Sequence, residues 1–148
     1  LALMQLPKTV CAVEELHDAG CGLISVMAPA IAMGNTCVLV PSEVAPLSAT
    51  DFYQVLETSD LPAGVVNIVT GAHADLAKPI AGHGDIDAVW CFSAAALSEV
   101  VERNSATNLK RTWVNHGQAR DWAAPSAEGR EFLRAATEMK TLWVPYGE

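Results

Sequence analysis

Residues 28–43 read APAIAMGNTCVLVPSE, and this stretch decides the fold. Gly34 and Asn35 belong to the two residue types that most readily end a helix in the left-handed conformation. The apolar run at 36–40 predicts a strand that is covered on both faces of a sheet. Pro41 ends that strand because proline has no N–H to donate to a ladder. The stretch therefore predicts a helix end, a sharp stop, a buried strand and a polar turn.

Helices and strands alternate along the rest of the chain. The patterns predict strands at 9–13, 65–69, 86–91, 109–114 and 142–144, and helices at 19–33, 47–58, 75–81, 94–103 and 129–139. Every crossover between the main strands is long enough for right-handed parallel winding. The predicted fold class is therefore α/β, as a three-layer αβα sandwich with a mostly parallel, Rossmann-like sheet.

Single residues add local expectations. Pro29 predicts a kink or break near Ala28, in a helix so apolar that it should be buried between layers or against a partner. Pro46 suits the first turn of the next helix, and Ser93 stands in an N-cap position. The side chains expected to face the core from the helices at 47–58 and 94–103 are Leu47, Phe52, Val55, Leu56, Leu97, Val100 and Val101.

Composition limits the classes of function. The chain has 148 residues, 51% hydrophobic and 18% charged, which argues for one folded domain and against disorder. Its net charge of −8 argues against nucleic acid and anionic membranes as partners. No apolar run is long enough to span a bilayer, and no signal peptide is recognisable. Because the first residue is Leu1, we expect an excerpt of a longer polypeptide.

The cysteines and histidines predict neither a disulfide framework nor a metal site. No two cysteines form a C-x-x-C pair, and two of them lie within apolar runs, so we expect small core residues in a reducing compartment, the cytoplasm. The histidines are far apart and lack ligand spacing. The residues concerned are Cys11, Cys21, Cys37, Cys91, His17, His73, His83 and His116.

Polar residues follow four predicted strands, and parallel topology places all of them at the sheet edge where open α/β folds bind ligands. No G-x-G-x-x-G or P-loop motif is present. A carboxylate such as Glu43 can hold ribose hydroxyls, and Ser93 can either meet a phosphate or simply cap its helix. His116 is open to a proton-transfer role, although a lone loop histidine is more often a surface residue. The candidates are Ser42, Glu43, Thr70, Gly71, Ser93, Asn115, His116 and Gly117.

Residues 23–111 carry, in unbroken order, APAIAMGNTCVLVPSE, PLSA, LPAGVVNIVTG, IDAV and NLKRT. These motifs resemble the cofactor-binding domain of the NAD(P)-dependent aldehyde dehydrogenase superfamily. The closing LKRTWVNHG and LWVPYGE are similar to the carboxyl-terminal unit of the tandem-domain aldehyde dehydrogenases of family 16. The resemblance implies a lead-in segment at 1–22, a Rossmann-like cofactor-binding domain at 23–117, and a carboxyl-terminal loop, helix and strand at 118–148. It also implies NAD or NADP as cofactor, bound through Ser42, Glu43, Gly71 and Ser93.

The resemblance also marks departures. Glu43 keeps the family's ribose-binding glutamate, but Val40 replaces its lysine. Phe92 replaces a glycine near the pyrophosphate, and its ring is expected to obstruct a dinucleotide. Asn115 occupies the general-base position, where an amide cannot take a proton as a carboxylate does. The family's catalytic cysteine lies in a domain beyond this segment, and its oxyanion asparagine aligns near His17.

Three hypotheses follow. The first is a segment of an aldehyde-oxidising, NAD(P)-linked oxidoreductase that is itself non-catalytic, because base, nucleophile and part of the cofactor grip are missing. The second is a working NAD-binding domain separated from its catalytic domain. The third is a structural or oligomerisation module, with Trp113 and Trp143 as interface anchors. The expected partners are the rest of the parent chain and further copies of the same chain.

Overall fold

Five parallel strands form one sheet within the residues that the computed structural model describes, which are 9–13, 21–139, 141 and 143–146. In chain order the strands are β1 (Thr9–Val13), β2 (Thr36–Val40), β3 (Val66–Ile68), β4 (Ala88–Cys91) and β5 (Arg111–Val114). Across the sheet their order is β3-β2-β1-β4-β5. The predicted strands up to residue 114 are confirmed, although β3, β4 and β5 are shorter than their apolar patterns.

Helices cover both faces of this sheet. They are α1 (Cys21–Ala32), α2 (Pro46–Glu57), α3 (His73–Gly82), α4 (Ala95–Ser105) and α5 (Arg130–Ala135), with a 3₁₀ helix (Pro125–Glu128) before α5. One core lies between the sheet and α1, α2 and α5, and a second lies between the sheet and α3 and α4. The predicted three-layer αβα sandwich is confirmed. Of the described helices, none is long and apolar enough to cross a membrane.

The strand at the centre of the opening stretch is covered on both faces. Cys37 and Leu39 of β2 belong to the core beneath α1, whereas Val38 and Val40 belong to the core beneath α3 and α4. Successive side chains of a strand point to opposite faces, so both sets must be apolar. This double burial explains why the run at 36–40 shows no polar alternation.

The chain reverses its direction across the sheet after β3. Strands β1 to β3 step towards one edge, and α3 then returns the chain past β1 to β4 on its other side. The carboxyl ends of β1 and β4 therefore flank the topological switch point, where open α/β sheets bind ligands. The residues that follow β2, β3, β4 and β5 lie along this carboxyl edge.

The predicted helix stop is confirmed and has a second role. Gly34 has a φ of +80°, in the left-handed region. The buried side-chain amide of Asn35 donates to the carbonyl oxygens of Ala30 and Ala136, each at 2.9 Å. The first bond closes α1, and the second ties it to the residue that follows α5. The stop therefore anchors the carboxyl-terminal segment to the sandwich.

The segment after β5 completes one of the two cores. Helices α1 and α2 contact β1, β2 and β3. The same face of β4 and β5 is covered by Trp122 and by Phe132 of α5. The polar loop predicted at 116–127 therefore contains a buried tryptophan and runs into the 3₁₀ helix, and α5 is shorter than the helix predicted at 129–139. The predicted boundaries of the segments at 1–22, 23–117 and 118–148 stay a prediction.

One prediction for α1 needs correction, and another is only partly tested. The break predicted near Ala28 is wrong, because α1 is continuous through Pro29. Packing of its inner face, which includes Leu23 and Val26, stabilises the helix although Pro29 lacks an N–H. The outer face of α1 is not covered by the described residues, since Ile24 is 44% exposed, and its predicted burial against a partner stays a prediction.

The stripe predicted for α2 is half wrong. Phe52 and Leu56 pack against the core together with Ala49, which is the set that shares one helix face at three- and four-residue spacing. Leu47 and Val55 fall outside this face and are 73% and 58% exposed. The stripe predicted for α4 is confirmed, because its three apolar members all join the core beneath α3 and α4.

Three boundaries also differ from the predictions. Helix α3 begins at His73, two residues earlier than predicted, and continues through Pro79. Leu109 lies outside β5 and is fully exposed. In the terminal strand predicted at 142–144, residue 142 lies outside the described residues, and Trp143 and Val144 are not in a strand.

Candidate functional site

The turn after β2 holds the first two predicted site residues. Ser42 is buried, and its hydroxyl accepts a hydrogen bond from the N–H of Val44 at 3.3 Å, so it shapes the turn. Glu43 is exposed, and its carboxylate oxygen Oε1 accepts a hydrogen bond from the backbone N–H of His73. Its Oε2 has no partner among the described residues. Glu43 therefore presents one unengaged carboxylate oxygen at the carboxyl edge.

His73 contributes to this edge although the sequence patterns did not single it out. It is the first residue of α3 and only 7% exposed. Its imidazole Nε2 lies 2.8 Å from the carbonyl oxygen of Pro41, at the end of β2. The only available signal in the sequence was a histidine shortly after Thr70 and Gly71, in a stretch of otherwise small residues.

Thr70 and Gly71 lie where β3 has ended, and both are exposed. Within the described residues Thr70 makes no side-chain hydrogen bond. A Cβ atom at Gly71 would lie 3.1 Å from Cδ1 of Leu76 in α3. Glycine at this position therefore allows α3 to begin close to the end of β3.

Ser93 follows β4 but is not the helix cap that its position predicted. The N-cap of α4 is Ala94, whose carbonyl accepts from the N–H groups of Leu97 and Ser98. The backbone N–H of Ser93 donates to Oδ1 of Asn115 at 3.0 Å, while its hydroxyl has no partner among the described residues. The first turn of α4 contains no acidic residue and receives no side-chain cap. Its N–H groups and positive dipole end are therefore accessible to an anion.

Asn115, at the predicted general-base position, is a structural residue here. Its Oδ1 accepts from the N–H groups of Ser93 and Gly117, at 3.0 and 3.4 Å. Its Nδ2 donates to the carbonyl oxygen of Gln118 at 2.8 Å. The amide thus joins the ends of β4 and β5, and both of its polar atoms are already engaged.

His116 has the partner that the sequence did not reveal. Its Nε2 lies 3.6 Å from a carboxylate oxygen of Glu102 on α4, and its backbone N–H donates to the hydroxyl of Ser98 at 3.2 Å. Both side chains are about half exposed, so solvent weakens this contact. Its φ of +50° is unusual for a residue other than glycine. Gly117 follows at +75°, where a Cβ would lie 3.2 Å from the nitrogen of Ala95.

The two substituted cofactor positions both lie in cores. Val40 is fully buried beneath α3 and α4, so it offers no polar group to the edge. Phe92 is 1% exposed, and its ring packs edge-on against Trp113 and Trp122, with centroids 5.0 and 5.2 Å away. This ring belongs to the other core, beneath α1 and α5. The ring therefore packs into this core, and the expectation that Phe92 obstructs a dinucleotide stays a prediction.

An arginine is enclosed by the aromatic side chains around Phe92. The guanidinium carbon of Arg120 lies 4.7 Å from the ring centroid of Phe132 and 5.6 to 5.8 Å from three further rings. Its NH2 group donates to the carbonyl of Ser126 at 3.1 Å and to the carboxylate of Glu131. Burial lowers the pKa of the guanidinium. The cluster comprises Trp90, Phe92, Trp113, Trp122 and Phe132. Trp113 is partly buried and packs against the core, and its role as an interface anchor stays a prediction.

No described cysteine is placed as a nucleophile by its contacts. Cys37 and Cys91 are buried, as predicted, and burial raises the pKa of the Cys37 thiol to about 12. Cys21 is exposed at the start of α1. Among the described residues, no group of histidine, cysteine and acidic side chains is suited to a metal ion. His17 lies outside the described residues.

A sequence profile described as the aldehyde dehydrogenase family matches residues 22–122. The chain belongs to the aldehyde dehydrogenase family. Over 92 residues it is 35% identical to the NADP/NAD-dependent aldehyde dehydrogenase PuuC of Escherichia coli (strain K12), an alignment that covers 62% of this chain and 19% of that relative. The chain therefore spans about a fifth of the length of this aldehyde dehydrogenase.

Solved aldehyde dehydrogenases share the fold. Apo indole-3-acetaldehyde dehydrogenase superposes with a TM-score of 0.70 at 29% identity, covering 74% of this chain and 26% of that one. A structure of indole-3-acetaldehyde dehydrogenase complexed with NAD⁺ gives a TM-score of 0.64 at 29% identity, covering 72% and 22%. The Rossmann-like sheet expected from the resemblance is thus shared with these aldehyde dehydrogenases.

Proposed function

We propose that this chain is the NAD(P)-binding unit of an aldehyde-dehydrogenase-type oxidoreductase and does not oxidise aldehydes by itself. The observation that carries the cofactor assignment is the polar set at the carboxyl edge: the Oε2 oxygen of Glu43, the Ser93 hydroxyl and the uncapped N-terminus of α4. A carboxylate accepts hydrogen bonds from ribose hydroxyls, and a hydroxyl beside helix N–H groups suits a phosphate. This set of one acceptor and several donors suits a dinucleotide.

The two helix N-termini at this edge have different electrostatics. The first N–H of α3 is bound by Glu43, and Asp75 lies in the first turn, so negative charge already occupies this terminus. The first turn of α4 has no acidic residue. The pyrophosphate of NAD or NADP therefore belongs at α4 beside Ser93, and the adenosine ribose at Glu43. Once bound, the nicotinamide ring supplies hydride transfer.

The position of Phe92 supports a retained cofactor site, whereas Val40 weakens it. With the phenyl ring buried beneath α5, the edge itself is left to Glu43, Gly71 and Ser93. Val40 provides no cation beside the ribose, so one favourable interaction expected from the resemblance is missing. We therefore expect binding that is real but weaker than in a domain with lysine at this position.

The described residues support a non-catalytic role for the chain alone. Asn115 cannot act as a general base, and its polar atoms are engaged in the turn. The buried thiols of Cys37 and Cys91 are poor nucleophiles. Aldehyde oxidation would then depend on further parts of a longer protein.

The test is a calorimetric titration of NAD, and separately of NADP, into the folded chain. We expect saturable binding that Glu43→Gln weakens roughly tenfold, the effect of losing hydrogen bonds to a charged group. Glu57→Gln, at the exposed carboxyl end of α2, is the matched control and should bind like the wild type. Absence of binding by the folded wild type would refute the cofactor assignment. NAD-linked oxidation of aldehydes by the isolated chain would refute the non-catalytic role.

We also propose that the chain corresponds to the carboxyl-terminal unit of a tandem-domain aldehyde dehydrogenase of family 16, in the cytoplasm and in a homo-oligomer. The motifs in its closing residues support this assignment. The natural protein should therefore be detected by antibodies against this chain at several times its 15.7 kDa mass, in the cytoplasmic fraction. Detection of a mature product of 15.7 kDa would contradict the assignment.

One observation favours a structural or oligomerisation module as the second candidate. Trp143, Val144 and Tyr146 near the carboxyl end are 83%, 70% and 99% exposed. A run of exposed apolar side chains is typical of an interaction surface. Sedimentation of the wild type and of Trp143→Ser tests it: a wild-type assembly that the variant abolishes supports this role, and a monomer in both cases contradicts it.

A further inference from the structure

Two hydrogen bonds join the beginning of α3 to the end of β2, and His73 provides both. Its backbone N–H donates to Oε1 of Glu43, and its imidazole Nε2 lies 2.8 Å from the carbonyl oxygen of Pro41. A carbonyl oxygen can only accept, so the proton of this bond is on Nε2. The ring is buried, which protects the bond from competition by water.

The imidazole takes the place of a strand partner. The ladder between β2 and β3 ends where the N–H of Val69 donates to the carbonyl of Leu39 at 2.9 Å. Pro41 directly follows β2, two residues after Leu39. The Pro41 carbonyl is bound by the His73 ring, which belongs to α3. The polar turn at 41–43 is thereby fixed to α3.

The consequence is a carboxylate held in one orientation. Oε1 of Glu43 is bound at the N-terminus of α3, where the helix dipole favours negative charge, and Oε2 has no partner among the described residues. A protein side chain that is already oriented loses less conformational freedom when the cofactor binds, and this increases the affinity. The exposed Oε2 is the atom that can accept from ribose hydroxyls.

We propose that His73 is a positioning residue that fixes the Glu43 carboxylate for the adenosine ribose hydroxyls of NAD. This inference rests on the proposed cofactor-binding function. His73 itself contacts no cofactor in this scheme. It acts through the Pro41 carbonyl and through the oriented carboxylate.

The experiment compares His73→Leu, which removes the imidazole bond, with His73→Gln, whose amide nitrogen can occupy the Nε2 position. NAD and its adenosine 2′-deoxy analogue are titrated into each folded variant. The wild type should bind NAD about tenfold more tightly than the 2′-deoxy analogue, which is the effect of one hydrogen bond to a charged group. His73→Leu should lose most of this preference and bind NAD about five- to tenfold more weakly. His73→Gln should stay within about threefold of the wild type.

A loss of stability alone would not change the ratio of the two affinities, so the preference separates positioning from a merely structural role. The double variant His73→Leu/Glu43→Gln should bind no more weakly than Glu43→Gln, because both changes remove one interaction. If His73→Leu fails to fold, His73→Asn, whose shorter amide cannot reach Pro41, replaces it.

The outcomes distinguish the two proposals. A wild type that binds NAD, with a His73→Leu variant of equal affinity and preference, overturns the role of His73 alone. Additive losses in the double variant overturn it as well. A folded wild type that binds neither NAD nor NADP overturns the proposed function and this inference together.

Discussion

Replacing Phe132 by alanine should destabilise the chain more than any surface substitution on α5. The side chain is 1% exposed, and its ring packs against four aromatic rings at centroid distances of 5.0 to 6.3 Å. Burial of such a side chain contributes about 1.5–3 kcal/mol, and each aromatic pair adds about 0.5–1.5 kcal/mol. The expected loss therefore lies in the upper half of the range of about 3–5 kcal/mol that is typical of Phe→Ala in a core.

Equilibrium unfolding in urea, followed by tryptophan fluorescence and circular dichroism, measures this loss. A domain has only about 5–15 kcal/mol of stability, so the midpoint should fall markedly. Leu133→Ala is the matched control, because its side chain is adjacent on α5 but 39% exposed, and it should lose less than about 1 kcal/mol. A loss below about 1 kcal/mol for Phe132→Ala would refute the conclusion that the segment after β5 completes the core.

Three further predictions concern Arg120, Cys37 and Asn115. Arg120→Met should lower the unfolding free energy by about 1–2 kcal/mol, because the contacts of the guanidinium with the aromatic rings are lost. If this loss disappears in 1 M salt, the ion pair of Arg120 dominates and not its ring contacts. Burial raises the pKa of Cys37 from 9.0 to about 12. Mass spectrometry after alkylation of the native chain at pH 8 should therefore find Cys21 modified and Cys37 unmodified. The contribution of the neutral Cys37 thiol to stability should be fully present below pH 9 and be lost as the pH rises towards 12. Alkylation of Cys37 as fast as Cys21 would contradict the burial of Cys37. Asn115→Asp should lose about 1–2 kcal/mol of unfolding free energy at pH 7, because a carboxylate cannot donate to the Gln118 carbonyl. Thermal melts should show a smaller loss near pH 4, where the acid regains a proton. Equal melting temperatures of variant and wild type at pH 7 would refute this prediction.

Much of the candidate site was predictable because it follows from strand direction. Once 36–40 and the other apolar runs of the chain are recognised as parallel strands, the residues that follow these strands must lie at one edge of the sheet. Glu43, Gly71 and Ser93 were found in this way. His73 was missed because its importance depends on a contact with Pro41 across 32 residues, and no local pattern reports such a contact.

The chain's local chemistry determined the alternation of helices and strands, the stop at Gly34 and the polar strand ends, because backbone conformation and burial periodicity depend on near neighbours. The tertiary structure alone decided the strand order, the position of the Phe92 ring and the enclosure of Arg120 by residues that are distant in sequence. These features depend on which faces remain uncovered after the helices pack. The face of β4 and β5 that α1 and α2 leave open is filled by the closing segment, so the Phe92 ring becomes part of the core.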